Sequence, residues 1–268
     1  GLGCPDWPKC YGQFVPPADP GAIIEVTHRV LAAITGPLIV VAAVLGWRRY
    51  RAVPWLSRPP VIAVPLVLAV AVLGAFAVLT GLPPAVAAID VGSALMVLAL
   101  VSAAGTVAWA GRASPQLPGR LRFRTGLARL SLWTAGTVFF VLVTGVLVAG
   151  PGSVVRCLGW PLYGIEGAAE VGSALALVRR AAGVVAGALI AALVVQAWRR
   201  CRSDAAILRA VTALAILAGL EAAAGLLIAV RGFAMALGVV YVAAAAGMWA
   251  LLSVIVVLAG LASASRKP

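Results

Sequence analysis

The chain has 268 residues, of which 63% are hydrophobic and only 11% charged, with 21 basic residues against 8 acidic ones and a formal charge of +13. A soluble domain carries roughly a quarter charged residues, so too little polar material is present to cover a water-facing surface. The basic excess would suit a nucleic-acid groove, but its placement along the chain excludes that reading.

Seven stretches reach the ~20 mostly apolar residues that a spanning helix needs: about 22–46, 61–82, 85–110, 128–150, 171–198, 206–230 and 233–262. All are rich in Ala, Val, Leu and Gly, which suits close helix packing in lipid. Period-2 alternation is absent, which argues against a barrel. No cleavable apolar region stands at residue 1.

Fifteen of the 21 basic residues fall in four segments: Arg48, Arg49, Arg51 and Arg58; Arg112, Arg120, Arg122, Arg124 and Arg129; Arg199, Arg200, Arg202 and Arg209; Arg266 with Lys267. If the spans alternate in direction, these segments share one side, and the other side holds Lys9, Arg156 and Arg231. The positive-inside rule makes the four segments cytoplasmic, beside anionic lipid. The loop around Cys4 and Cys10 is then extracytoplasmic.

The chain repeats itself at an offset of about 150 residues. Cys4-Pro-Asp-Trp-Pro-Lys-Cys-Tyr-Gly12 recurs as Cys157-Leu-Gly-Trp-Pro-Leu-Tyr-Gly164. Arg29 pairs with Arg179, Leu73-Gly74 with Ala224-Gly225, and Asp90 with Tyr241. The pattern predicts an all-α membrane protein of two pseudo-symmetric four-helix bundles in tandem: residues 1–111, a basic cytoplasmic linker at 112–126, and 127–268. The segment at 128–150 has no partner ahead of the first Trp-Pro loop, so seven helices of an expected eight are foreseen.

Ionisable groups inside a membrane are costly and mark function. Glu25, His28 and Arg29 are three and four positions apart and share one helix face. His28 lies about six residues inside its span, roughly 9 Å below the outer interface at 1.5 Å per residue. Asp90 stands at similar depth, so the two could face one flat ligand. A lone helical histidine is more often a packing residue; the membrane setting and the adjacent carboxylate and arginine favour a functional one. Cys4 and Cys10, on the oxidising side, predict a disulfide, as a staple or as a redox pair. Cys157 and Cys201 read as thiols outside that pairing. Glu221 reads as a membrane carboxyl, its plain role a hydrogen bond to a neighbouring helix.

Gly3-Cys4-Pro5-Asp6-Trp7-Pro8-Lys9-Cys10-Tyr11-Gly12-Gln13 followed by Glu25-Val26-Thr27-His28-Arg29 resembles the heme A synthase family, as do Gly150-Pro-Gly-Ser153 and Trp160-Pro-Leu162 further on. The resemblance implies eight helices in two bundles. It implies oxidation of the C8 methyl of heme O to a formyl group for terminal oxidases, one bundle receiving heme O and the other holding a heme b. It implies Glu25 as the carboxylate near that methyl, His28 as a ligand to heme iron, and Arg29 as a partner for a propionate or for Glu25. Heme O synthase and terminal-oxidase assembly are implied partners, in the plasma membrane of a prokaryote. The chain departs from the family at the other histidines, which fall on Asp90, Val178 and Tyr241; Leu175 stands where the first half has Glu25. Asp90 and Tyr241 are the remaining candidate heme contacts, tyrosine being a known ligand of ferric heme. The alternative is a protein of another class, a heme-binding or structural membrane subunit that kept the fold and lost the redox heme.

Overall fold

The computed structural model describes residues 3–113, 121–148 and 173–265. The second Trp-Pro loop with Cys157 lies outside them. The described residues form seven helices: α1 (Pro20–Arg49), α2 (Pro54–Leu79), α3 (Pro84–Ala113), α4 (Gly126–Val148), α5 (Ser173–Arg200), α6 (Ala205–Arg231) and α7 (Met235–Ser265). Each contains a stretch long and apolar enough to cross a membrane. The predicted spans correspond one to one with these helices, and the protein is an all-α membrane protein.

Local chemistry sets the helix ends. Asp19 caps α1 by accepting the Ala22 N–H at 2.9 Å, and Pro20 follows at the first helical position. Asp204 caps α6 by accepting the Ala206 and Ile207 N–H groups, both at 3.1 Å. Arg48 and Arg49 close α1, and Arg199 and Arg200 close α5, where cations favour the helix dipole. Gly232 ends α6 at φ +84°, a left-handed position that suits glycine.

The packing has two parts. Helices α4, α5, α6 and α7 close a ring, each against the next and α7 back on α4. Helix α3 rests against α4 and α7; α2 leans on α3, and α1 leans on α2. The main core lies in the ring, around the fully enclosed Leu193, Leu214, Leu252 and Ile255. Small residues permit the close approach: a Cβ on Gly247 would meet Leu217 Cδ1 at 2.8 Å. The last residues of the linker are sewn to the end of α7, with Arg122 N–H donating to Gly260 O at 3.1 Å and Arg124 N–H to Ser263 Oγ at 3.1 Å.

A hydrogen bond ties the ring to the outlying helices. The Trp249 indole N–H on α7 donates to Leu95 O on α3 at 2.7 Å, and its ring lies 5.4 Å from that of Phe139 on α4. Interhelical hydrogen bonds in membranes are worth about 0.6 kcal/mol on average and up to about 1.7. Trp249→Phe keeps the aromatic ring and removes the donor. We expect a loss of stability in that range, read as a lower midpoint of thermal unfolding in detergent, with helix content unchanged.

Candidate functional site

The N-terminal loop folds back over the first turns of α1. Cys4 and Cys10 form a disulfide, buried on Ala22 and Val26. Cys10 and Gln13 exchange backbone hydrogen bonds at 2.8 and 3.1 Å, turning the chain through the positive φ of Tyr11 and Gly12. The Asp6 carboxylate braces that turn by accepting the Tyr11 and Gly12 N–H groups at 2.7 and 2.9 Å. Gly3 sits so close to Gly21 that an added Cβ would collide with the Gly21 carbonyl.

Glu25 and Arg29 fasten the loop to the helix. Glu25 Oε2 accepts the Gly3 N–H at 2.9 Å and the Cys4 N–H at 3.3 Å. Glu25 Oε1 takes Arg29 Nη2 at 2.6 Å. Arg29 Nη1 donates to the carbonyls of Asp6, Pro8 and Lys9 at 3.1, 3.2 and 2.8 Å. The four-residue spacing that puts these two side chains on one face thus yields an ion pair that closes the loop. Of the two partners foreseen for Arg29, Glu25 is the one it meets here. Glu25 meets three donors, a role the sequence did not suggest.

His28 lies on the neighbouring face of α1. It is exposed, and so are Ile24, Leu31 and Thr35 above and below it on the same stripe. From Thr27 to Leu38 only Arg29 and Gly36 are less than fully exposed. The imidazole therefore looks onto open space beside the clasped loop. Asp90 is half-buried on α3, with Oδ1 enclosed and without a hydrogen-bond partner. His28 and Asp90 stand eight and six residues from the starts of their helices, so their depths agree. No contact joins them, because α2 packs between α1 and α3.

The second half holds a different arrangement. Tyr241 on α7 is buried at 3% exposure against Ala224 and Ile228, and it hydrogen-bonds Glu221 on α6. Arg179 on α5, buried at 6%, places its charge near Glu221. Its Nε donates to Val141 O at 3.3 Å, and its guanidinium crowds Gly145, where a Cβ would meet Nη2 at 2.9 Å. Val178 points outward and is exposed. Sequence reasoning singled out Glu221 and matched Arg179 to Arg29, and the structure makes them neighbours. The repeat offset was the available signal, since Arg179 and Tyr241 each occupy a position that carries a charge in the first half.

The described residues of the second half do not fit a heme b. The chain's one histidine is His28. Val178 faces away from the ring, the Tyr241 hydroxyl is engaged with Glu221, and Arg179 fills the space against α4.

Helices of this length with a disulfide loop clamped over the first of them define a multi-pass, all-α membrane protein. The chain belongs to the cytochrome oxidase assembly protein family (COX15-CtaA), whose family model matches residues 1–256. It is similar to the heme A synthase of Shouchella clausii, at 29% identity over 164 residues, 60% of this chain and 54% of that protein. The heme A synthase of Geobacillus kaustophilus is 28% identical over 169 residues, 60% of this chain and 51% of the other. That of Bacillus mycoides is 36% identical over 103 residues, 38% and 33% of the two chains. The chain spans about half the length of the first two relatives.

Two outcomes follow for the loop. Hydrogen bonds to charged groups contribute about 1.5–3 kcal/mol each, so Arg29→Gln should speed amide exchange across residues 3–13 at least tenfold while leaving α4–α7 unchanged. Hydrogen–deuterium exchange by mass spectrometry reads this directly. The Gly12 N–H, aided by that of Tyr11, holds the Asp6 carboxyl below its ordinary value of 3.8. Its folded value is depressed, so its support is complete above 3.8 and fades as pH falls through the lower folded value. Exchange at Tyr11 and Gly12, corrected for intrinsic rate, should rise only below that point.

Proposed function

We infer that this protein acts in heme A biosynthesis as a heme A synthase-like enzyme, taking heme O at the outer end of α1 and oxidising its C8 methyl to a formyl group. The observation that carries this is the exposed His28 imidazole beside a loop held by Glu25, Arg29 and the Cys4–Cys10 bond. Family membership and the named activity of the relatives support it.

In this reading His28 is the protein's ligand to the substrate iron. Asp90, on α3 with α2 between it and His28, does not face the same substrate; its enclosed oxygen, lacking a partner, would take a water. Arg29 and Glu25 set the position of the loop; Glu25 thereby shapes the edge of the site where the methyl group would lie. Methyl to formyl is a four-electron oxidation. The Cys4–Cys10 disulfide could accept at most two of those electrons, so dioxygen delivered to the iron of the substrate would have to supply the oxidation. The chain's part is to bind, orient and exclude water. The site would open on the extracytoplasmic side of the plasma membrane, with the arginine-rich ends in the cytoplasm. Heme O synthase and the terminal oxidase are the partners that would deliver substrate and receive product.

A second reading has its own observation. The Arg179–Glu221–Tyr241 set occupies the half where the family's heme b is expected, which favours a heme-binding or structural subunit that performs no oxidation. Expressing the full protein with a source of heme O separates the two. The enzyme reading expects heme A in extracted pigments, and a Soret shift on adding heme O that His28→Ala reduces at least tenfold. Glu25→Ala should lower product more than heme binding. Heme bound by wild type without heme A in the extract would favour the second reading. No Soret change, or one indifferent to His28→Ala, would remove both heme roles.

A further inference from the structure

A second feature lies at the opposite end of the bundle. Helices α3 and α6 both pack on α7 but not closely on one another. The gap between them is a cleft of about 530 Å³, within the range of small-ligand sites. Val254 and Leu258 of α7 form its floor, Gly105 and Trp109 of α3 one wall, and Ala206 and Ala210 of α6 the other. Small residues keep it open: a Cβ on Gly105 would meet nothing within 4 Å. The Thr106 hydroxyl is turned back to Ser102 O at 2.7 Å, so the walls stay apolar.

The mouth is basic. Arg209, one turn into α6, lines it, and its Nε donates to Ala205 O at 3.1 Å. Arg112 follows Trp109 by three residues and continues the same stripe of α3. Both are exposed. Trp109, half exposed at 51%, sits at the level where indoles favour the membrane interface. The α1 and α5 ends bearing Arg48, Arg49, Arg199 and Arg200 lie on the same side.

Size and charge select the occupant. A helix about 10 Å wide rising 5.4 Å per turn fills roughly 400 Å³ per turn, so the cleft holds little more than one turn of a partner helix. A single acyl chain fits. Two arginines at the mouth call for a phosphate, and basic pockets between helices at this face suit anionic head groups. We propose that the α3–α6–α7 cleft binds one anionic glycerophospholipid, its phosphate held by Arg209 and Arg112 and an acyl chain laid along Gly105 over Val254 and Leu258. This site is remote from His28 and independent of any heme chemistry.

Native mass spectrometry of the detergent-solubilised full chain, with phosphatidylglycerol or phosphatidylcholine added, tests it. Wild type should retain one phosphatidylglycerol and release phosphatidylcholine. Each arginine near the surface contributes roughly fivefold, so Arg112→Gln with Arg209→Gln should lower retention by tenfold or more. Gly105→Leu fills the cleft, leaves both arginines, and should lower it as well. Arg58→Gln, on the same face but outside the cleft, should leave it unchanged. Circular dichroism confirms that each variant is folded; if Gly105→Leu does not fold, the arginine variants decide. Equal retention of the two lipids, retention by the double variant at the wild-type level, an equal loss in Arg58→Gln, or a second copy of the chain in place of the lipid would overturn the proposal.

Discussion

A charged group inside a bundle of apolar helices must find its partner there, because no water is available to replace it. Two arginines at matching positions of the repeat obey this constraint in different ways. Arg29 reaches outward, to Glu25 one turn away and to three carbonyls of the loop above it. Arg179 reaches inward, to Val141 O on α4 and toward Glu221 on α6. The first solution fastens a loop across the end of α1. The second stitches α4, α5 and α6 together, with Tyr241 bringing in α7. Much of the difference between the two halves follows from that choice.

The clasp explains why the Cys-Pro-Asp-Trp-Pro loop and the Glu-x-x-His-Arg helix occur together. A disulfide alone would close the loop without fixing its place on the helix. Glu25 provides that placement by accepting the N–H groups of Gly3 and Cys4, and Arg29 by meeting the carbonyls beyond them. The close approach of Gly3 to Gly21 seals the contact. His28, like Thr27 before it, stands outside the network on the exposed side of α1.

The seven spans were legible because a membrane helix announces itself by length and apolarity, and Pro20, Asp19, Asp204 and the terminal arginines mark ends by local rules. The disulfide was legible from six-residue spacing on the oxidising side. Rotation of each helix about its axis was not. Ala, Val and Leu cover every side of these helices, so periodicity does not separate a face toward protein from a face toward lipid. For that reason the inward Tyr241 and outward Val178 could not be told apart beforehand. Nor could the load on Glu25, since its partners are backbone N–H groups positioned by the return of the loop. Asp90 and His28 share a depth, as the sequence suggested, but α2 stands between their helices.

Each part of the bundle keeps one enclosed side-chain oxygen without a hydrogen-bond partner among the described residues: Asp90 Oδ1 on α3 and Gln196 Oε1 on α5. In the α4–α7 ring, arginine, glutamate and tyrosine nonetheless answer one another. In the α1–α3 part, the Asp90 Oδ1 is enclosed without a donor and the His28 imidazole stands exposed on an apolar stripe. An unmet acceptor away from water costs about 1–3 kcal/mol, so Asp90 and Gln196 both weaken the packing around them. The α4–α7 ring, with its core around Leu193, Leu214, Leu252 and Ile255, is the scaffold against which α3, and through it α2 and α1, are held.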